Sequence, residues 1–322
     1  MIVALTGATG FVGGAVLRRL LRREHQVRVL ARNPDRAGRL RDYGAVELVP
    51  GDLGDEAAVR TLVTGADAVV HLVGIIVPKG PQTFQRVHVE WTAGVAAAAH
   101  AAGVRRFAHM SALGARADAA ATAYHRTKAA GEEAVRRTIP GHVILRPSLI
   151  AGPGSVPLRM MINMVRMAPL VPVIGDGRYR MQPVWLEDVA EAFAVAVERG
   201  DLTGTYDIAG PEQLTWHEML DRIEDALAVR RRRVGVPLGI VRLGAAAGLA
   251  LPDLAPITPD QLQMLLEGST TEANALLPVF GVTPRPFAQV IREMCAPYAP
   301  ASTSDQTDRR PDANGPGVSP RA

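Results

Sequence analysis

One cysteine, Cys295, stands in a chain of 322 residues. That excludes an internal disulfide, and a Cys-based metal site has no ligand set to draw on. Aromatic residues make up 4% of the chain and hydrophobic residues 48%, so alanine and the branched aliphatics have to build the core. The first residues lack a basic stretch leading into an apolar signal core, and the chain reads as cytoplasmic. Excess charge of one sign is small: 36 Lys and Arg stand against 32 Asp and Glu, a net charge of +4. The run Arg230–Arg233 equals the whole surplus, so the charge is local and no nucleic-acid footprint is expected. Long apolar runs are also missing. The most apolar stretch, 234–252, is interrupted by Arg242 and repeated glycines, too broken for a membrane span. It reads either as a helix pair inside a lobe or, with Arg230–Arg233 before it, as a segment resting on the inner face of a membrane.

Glycine is abundant at one decisive place. TGATGFVGG, residues 6–14, follows the strand-like IVAL and precedes a helical pattern with Val12, Val16, Leu17, Leu20 and Leu21 on one face. Strand, glycine turn and helix together make a phosphate cradle. Gly7 permits the tight turn, Gly10 lets a pyrophosphate approach the backbone, and Gly13 lets the helix pack on the strand. The helix N-terminus then holds the anion.

Strand patterns recur at 26–31, 45–50, 67–73 and 105–111 and in HVILRP up to Pro147, with helical patterns at 11–23, 35–42, 55–64, 83–101 and 122–138. Such alternation implies an α/β fold with a doubly wound parallel sheet, the dinucleotide-binding architecture. The expected organisation is a nucleotide-binding domain over 1–150, sheet additions interleaved with a smaller lobe over 151–298, and a disordered tail over 299–322. In the second half, MQPVWL (181–186) reads as a strand and Glu187–Arg199 as a helix. TYDIAG (205–210) reads as a returning strand, and 214–229 as a helix capped by Thr215 with Glu218. Glu187 and Asp188 read as caps of their helix. The methionines of 159–168 read as core or pocket lining.

The second strand ends in VLARNP, with no acid to accept the ribose hydroxyls. Arg32, assisted by Arg36, suits a 2′-phosphate, so NADP is favoured and NAD is the alternative. Asp52, in GDL, is placed for the adenine. Leu72, Val73 and Gly74 end the fourth strand, where small residues let the cofactor lie flat. Tyr124 and Lys128 are four apart and share a helix face. A nearby ammonium lowers a phenol's pKa, which fits Tyr124 for proton exchange with a hydroxyl or carbonyl, while Lys128 holds the nicotinamide ribose. The histidines at 71, 100, 109, 125, 142 and 217 show no metal spacing and read as surface or cofactor-loop residues. No metal site is expected.

TGATGFVG, GDL, HMSALGA, YHRTKAAGE and RPSLIAGPG together resemble a short-chain dehydrogenase/reductase, and MQPVWLEDVA and YDIAGPEQLT resemble its extended, epimerase/dehydratase-like branch. The resemblance covers residues 1–298. HLVGI and SALGA are similar to an atypical branch that includes the nucleotide-binding accessory subunit of respiratory complex I. The resemblance implies a cofactor set of Gly7, Thr9, Gly10, Phe11, Val12, Gly13, Arg32, Asp52, Leu53, Leu72, Val73, Gly74, Lys128 and Pro147, and a catalytic set of Tyr124, Lys128 and Ser111. Two departures stand out. His88 occupies the position where extended enzymes carry an Asn that supports a water relay to the Lys. Ser111 lies only 13 residues before Tyr124, so it is either the carbonyl-polarising hydroxyl or a strand-end cap. Three readings follow: an oxidoreductase or epimerase on a small hydroxyl or carbonyl substrate, an NADP(H)-holding subunit of a membrane respiratory complex, and a redox sensor.

Overall fold

The computed structural model describes residues 1–33, 37–247 and 257–298. The expected disordered tail, Arg36 and residues 248–252 lie outside the described residues. In chain order the strands are β1 (Ile2–Thr6), β2 (Gln26–Ala31), β3 (Val46–Pro50), β4 (Ala68–His71), β5 (Arg106–Met110), β6 (His142–Pro147) and β7 (Ile150–Ala151). After them come β8 (Leu170–Ile174), β9 (Arg180–Met181), β10 (Val184–Trp185), β11 (Gly204–Ile208), β12 (Leu214–Thr215) and β13 (Arg232–Val236). Seven of them form one sheet in the order β11-β6-β5-β4-β1-β2-β3. Every pairing within it is parallel. The order reverses between β1 and β4, and a crevice at the strands' carboxyl ends is where such sheets bind ligands.

The strands are apolar because both faces are covered. On one face lie α1 (Phe11–Arg22) and α6 (Leu186–Glu198), packing Val16, Leu20 and Phe193 on Val3, Leu5 and Val29. On the other lie α2 (Glu56–Val63), α3 (Trp91–Ala101) and α4 (Ala123–Thr138), packing Leu62, Val95 and Val135 on Ala4, Val69 and Phe107. A third core belongs to the lobe, where α5 (Val156–Met167), α7 (Trp216–Leu227) and α10 (Phe287–Cys295) enclose Ile162, Leu220 and Ile291. Two further helices, α8 (Leu238–Ala247) and α9 (Pro259–Glu267), complete the lobe among the described residues.

Several local expectations change. The helix read over 83–101 begins as a π-helical turn, Gln85–Glu90, before α3. MQPVWL divides into β9 and β10, because Pro183 has no amide to donate and the Gln182 amide turns instead to the Ser269 carbonyl, 2.9 Å away. Glu187 and Asp188 do not cap α6 with their side chains. Glu187 pairs with Arg18 and Arg19 of α1, and Asp188 accepts the Arg285 amide at 2.9 Å. Thr215 and Glu218 do form the expected capping box on α7. Met161 is buried in the lobe core, whereas Met160 and Met167 are exposed.

α4 lies close against the π-helical turn. A Cβ on Gly131 would overlap the His88 carbonyl oxygen, whereas a Cβ on Gly94, on the exposed side of α3, would meet nothing within 4 Å. The same substitution should therefore have opposite signs. Gly94→Ala is expected to raise stability by ~1 kcal/mol through helix propensity. Gly131→Ala is expected to lower it by ~1–3 kcal/mol through overpacking, both measured by urea unfolding.

Candidate functional site

The glycine turn has the properties of a cradle. Gly7 sits at φ +80, a conformation that side chains rarely adopt. A Cβ on Gly13 would overlap the Gly7 carbonyl oxygen, so only glycine lets α1 approach β1 this closely. Gly10 is the N-cap of α1 and supplies no side chain to it. The first-turn amides have no intrahelical acceptor. Thr9 and Gly10 are exposed at this mouth, and Phe11 is half-buried with its ring against Gly154. Val12 is buried in the core, so any contact it makes with a ligand runs through its backbone. This cradle fits a dinucleotide pyrophosphate.

The next strand ends extend the groove. Arg32, just past β2, and Asp52, just past β3, line one pocket of about 360 Å³ together with Gly51, Gly54 and Asp55. Asp52 accepts the Gly54 amide at 2.7 Å, which orients its carboxylate. Leu53 is half-buried against the α2 side of the sheet. Beyond β4, Leu72 is buried, and Val73 lies 3.3 Å from where a Cβ on Gly7 would stand. Gly74 lies beside the Lys128 ammonium and the His88 ring, 3.7 and 3.6 Å from its Cβ position. Pro147 is buried at the end of β6 and accepts the Leu113 amide at 3.0 Å.

α4 starts at the N-cap Thr122, whose hydroxyl accepts the His125 amide at 3.2 Å, and its second turn carries Lys128. Lys128 Nζ donates to the Met110 carbonyl at 2.5 Å. Burial pulls its pKa down to about 8, opposed by the Glu132 carboxylate. The Tyr124 ring stands edge-on to His88 at 5.4 Å, with His125 at 5.6 Å and Phe84 at 6.0 Å. Burial pushes its phenol up to about 12. The expectation that Lys128 lowers this pKa is therefore overturned. The ammonium is tied to the Met110 carbonyl, and desolvation of the phenolate is what acts on the phenol.

His88 does not act as the missing Asn. Its Nε2 accepts the Ile75 amide at 3.1 Å, which places the ring proton on Nδ1, 3.0 Å from the Thr127 hydroxyl. Both nitrogens are thus engaged by the protein, leaving neither for a water relay to Lys128. Burial, with Lys128 beside it, holds its pKa at about 3, so the ring is neutral. His71, His109 and His125 are also buried, contrary to the surface reading. His71 bridges the Thr6 hydroxyl at 2.8 Å and the Thr92 hydroxyl at 3.1 Å, and stacks on His109 at 5.4 Å.

Ser111 is drawn into a different set of contacts. Its hydroxyl donates to Glu132 Oε1 at 2.5 Å. Glu132 is fully buried and also receives Arg146 through two nitrogens at 2.7 Å and Arg136 at 2.5 Å. The strand-end role is the one this contact supports. Glu132 and Gly131 went unnoticed in the sequence, although Tyr124, Lys128 and Glu132 recur every four residues along one face of α4.

A model of the NAD dependent epimerase/dehydratase family matches residues 3–209. The chain belongs to that family. It is 34% identical over 247 residues to a ceramide reductase of Caulobacter vibrioides, covering 76% of each chain. It is 28% identical over 292 residues to the mitochondrial NADH dehydrogenase (ubiquinone) 1 alpha subcomplex subunit 9 of Arabidopsis thaliana, covering 86% of this chain and 72% of that one. Its fold is similar to that of an NADPH-dependent quinone oxidoreductase of Escherichia coli complexed with NADPH, with a TM-score of 0.70 and 22% identity over 91% of this chain and 99% of that one. The family and its fold neighbours bind NAD or NADP. Among the described residues no cluster of His, Cys, Asp or Glu could hold a metal ion.

The buried carboxylate gives a test of the site's framework. Arg146→Met removes the bidentate partner of Glu132 and is expected to lower stability by ~3 kcal/mol in urea unfolding, because a buried charge loses its main counter-ion.

Proposed function

We propose that the chain is an NADP(H)-preferring oxidoreductase in which Tyr124 gives a proton to a substrate carbonyl oxygen. The observation that carries the reading is a convergence at one strand edge. The glycine cradle, the Arg32–Asp52 pocket, Gly74 and Lys128 follow one another across the carboxyl ends of β1 to β4, and Tyr124 stands one helical turn before Lys128. Gly7, Gly10 and Gly13 hold the pyrophosphate at the start of α1. Arg32 meets the 2′-phosphate, and Asp52 meets the adenine. Leu72, Val73 and Gly74 floor the groove, and Lys128 holds the nicotinamide ribose. Bound there, the dinucleotide supplies hydride chemistry.

With its pKa raised to about 12, the Tyr124 hydroxyl carries its proton throughout the neutral range, so a proton is in place for a substrate oxygen. The ceramide reductase relative is named for a reduction on a lipid, which favours a carbonyl on an apolar molecule as the substrate class. A second reading, a nucleotide-holding subunit of a membrane respiratory complex, is favoured by the complex I relative and by the Ser111 hydroxyl being committed to Glu132.

The two readings separate on one variant. Under the first, Tyr124→Phe cuts carbonyl reduction by ~10²–10⁴-fold and leaves NADPH affinity unchanged. The parent's kcat/KM should be flat from ~pH 5 to ~pH 7 and fall as Lys128 loses its proton near pH 8. A rising limb near pH 6.5 would contradict this protonation scheme, because His71 and His88, each near 3, remain neutral through that range.

A further inference from the structure

The lobe's outer surface has a composition at odds with water. Val156, Met160 and Met167 of α5, Leu170 of β8, and Ile240 and Leu243 of α8 are between 51% and 74% exposed. Along α5 the three exposed side chains fall at spacings of four and seven, one stripe of the helix. β8 and β13 pair in parallel, with Leu170 opposite Arg232 and Pro172 opposite Val234. Their alternate residues Val171 and Val173 are buried in the lobe core. A two-stranded sheet with one face on a core carries polar residues on the other when that face meets water. Here the outer face carries Leu170, Pro172 and Val234 beside the single charge of Arg232. These residues lie on elements that follow or pair with one another along the lobe, and clustered exposed apolar residues mark interaction surfaces.

Charge identifies what the surface meets. The chain has no carboxylate between Glu133 and Asp176, and none between Asp225 and Asp253. These are the two segments that β8 and β13 join. Arg159, Arg232 and Arg242 are exposed on them with no ion pair among the described residues, and the Arg166 guanidinium lies 4.3 Å over the Tyr298 ring. The arginine run itself contributes little, because three of its members are already engaged within the chain. Arg230 pairs with Asp225, Arg231 donates to the Val165 and Arg166 carbonyls, and Arg233 pairs with Asp221 and Glu224. A second copy docked face to face would set these arginines against their own kind with no carboxylate to meet them.

We propose that α5, β8, β13 and α8 form a face that rests on an anionic phospholipid bilayer, with the apolar side chains among the acyl chains and Arg159, Arg232 and Arg242 at the headgroups. No helix among the described residues is long and apolar enough to cross a membrane, so the contact is peripheral. It stands on this surface alone and holds for either reading of the nucleotide site.

The test is co-sedimentation of the full chain with phosphatidylcholine vesicles, with and without phosphatidylglycerol. Binding is expected only with phosphatidylglycerol, weakening as salt rises. It should drop at least ~tenfold in Ile240→Glu/Leu243→Glu, two side chains that together lose their apolar burial. It should also drop in Arg159→Gln/Arg232→Gln/Arg242→Gln. Both variants change exposed positions and should keep the parent's thermal midpoint. Absence of vesicle binding overturns the proposal, as does binding that survives both variants. Concentration-dependent self-association, abolished by Ile240→Glu/Leu243→Glu, would assign the face to a second copy and overturn it as well.

Discussion

The site depends on one close approach, that of α1 to the turn after β1. Because Gly13 has no Cβ, the helix sits against the Gly7 carbonyl. Its N-terminus therefore opens at the carboxyl end of the sheet, where the strand order reverses between β1 and β4. A helix held further out would aim its unpaired amides away from that crevice. With it in place, parallel strands bring Arg32, Asp52 and Gly74 to the same edge, since all of them follow the carboxyl ends of neighbouring strands.

Burial dominates the electrostatics on the other side of this groove. It keeps His71 and His88 neutral, raises Tyr124 and lowers Lys128, each shift favouring the uncharged form of the side chain. Glu132 lies buried in the same region, held by two arginines. Glu132 also draws the Ser111 hydroxyl into the framework. Its position two turns beyond Tyr124 ties the foot of α4 to β6, through Arg146, and so fixes where the head of the helix stands. The site combines a neutral aromatic hydroxyl with a buried ammonium.

Much of this was legible in the residues. The sheet, the glycine turn and the capping box are local, and their spacing follows from the periods of strand and helix. Arg32 and Asp52 were readable because strand ends in such a sheet share an edge. What escaped was long-range. Gly131 is required by the carbonyl of His88, 43 positions earlier, and nothing around Gly131 announces that partner. The role of His88 depends on an amide at Ile75 and a hydroxyl at Thr127. The π-helical turn has nearly the apolar pattern of the α-helix it leads into. The Tyr124 pKa was misjudged because spacing showed the ammonium but not the desolvation around the phenol.

Fluorescence titration of the chain with NADPH and with NADH tests the central claim most directly. The cradle and the Arg32–Asp52 pocket predict saturable binding with NADPH the tighter ligand. They also predict that Arg32→Asp weakens NADPH by ~tenfold or more while leaving NADH little changed, because a 2′-phosphate loses a charged partner. Binding of neither nucleotide, or equal affinities that Arg32→Asp does not move, would contradict it.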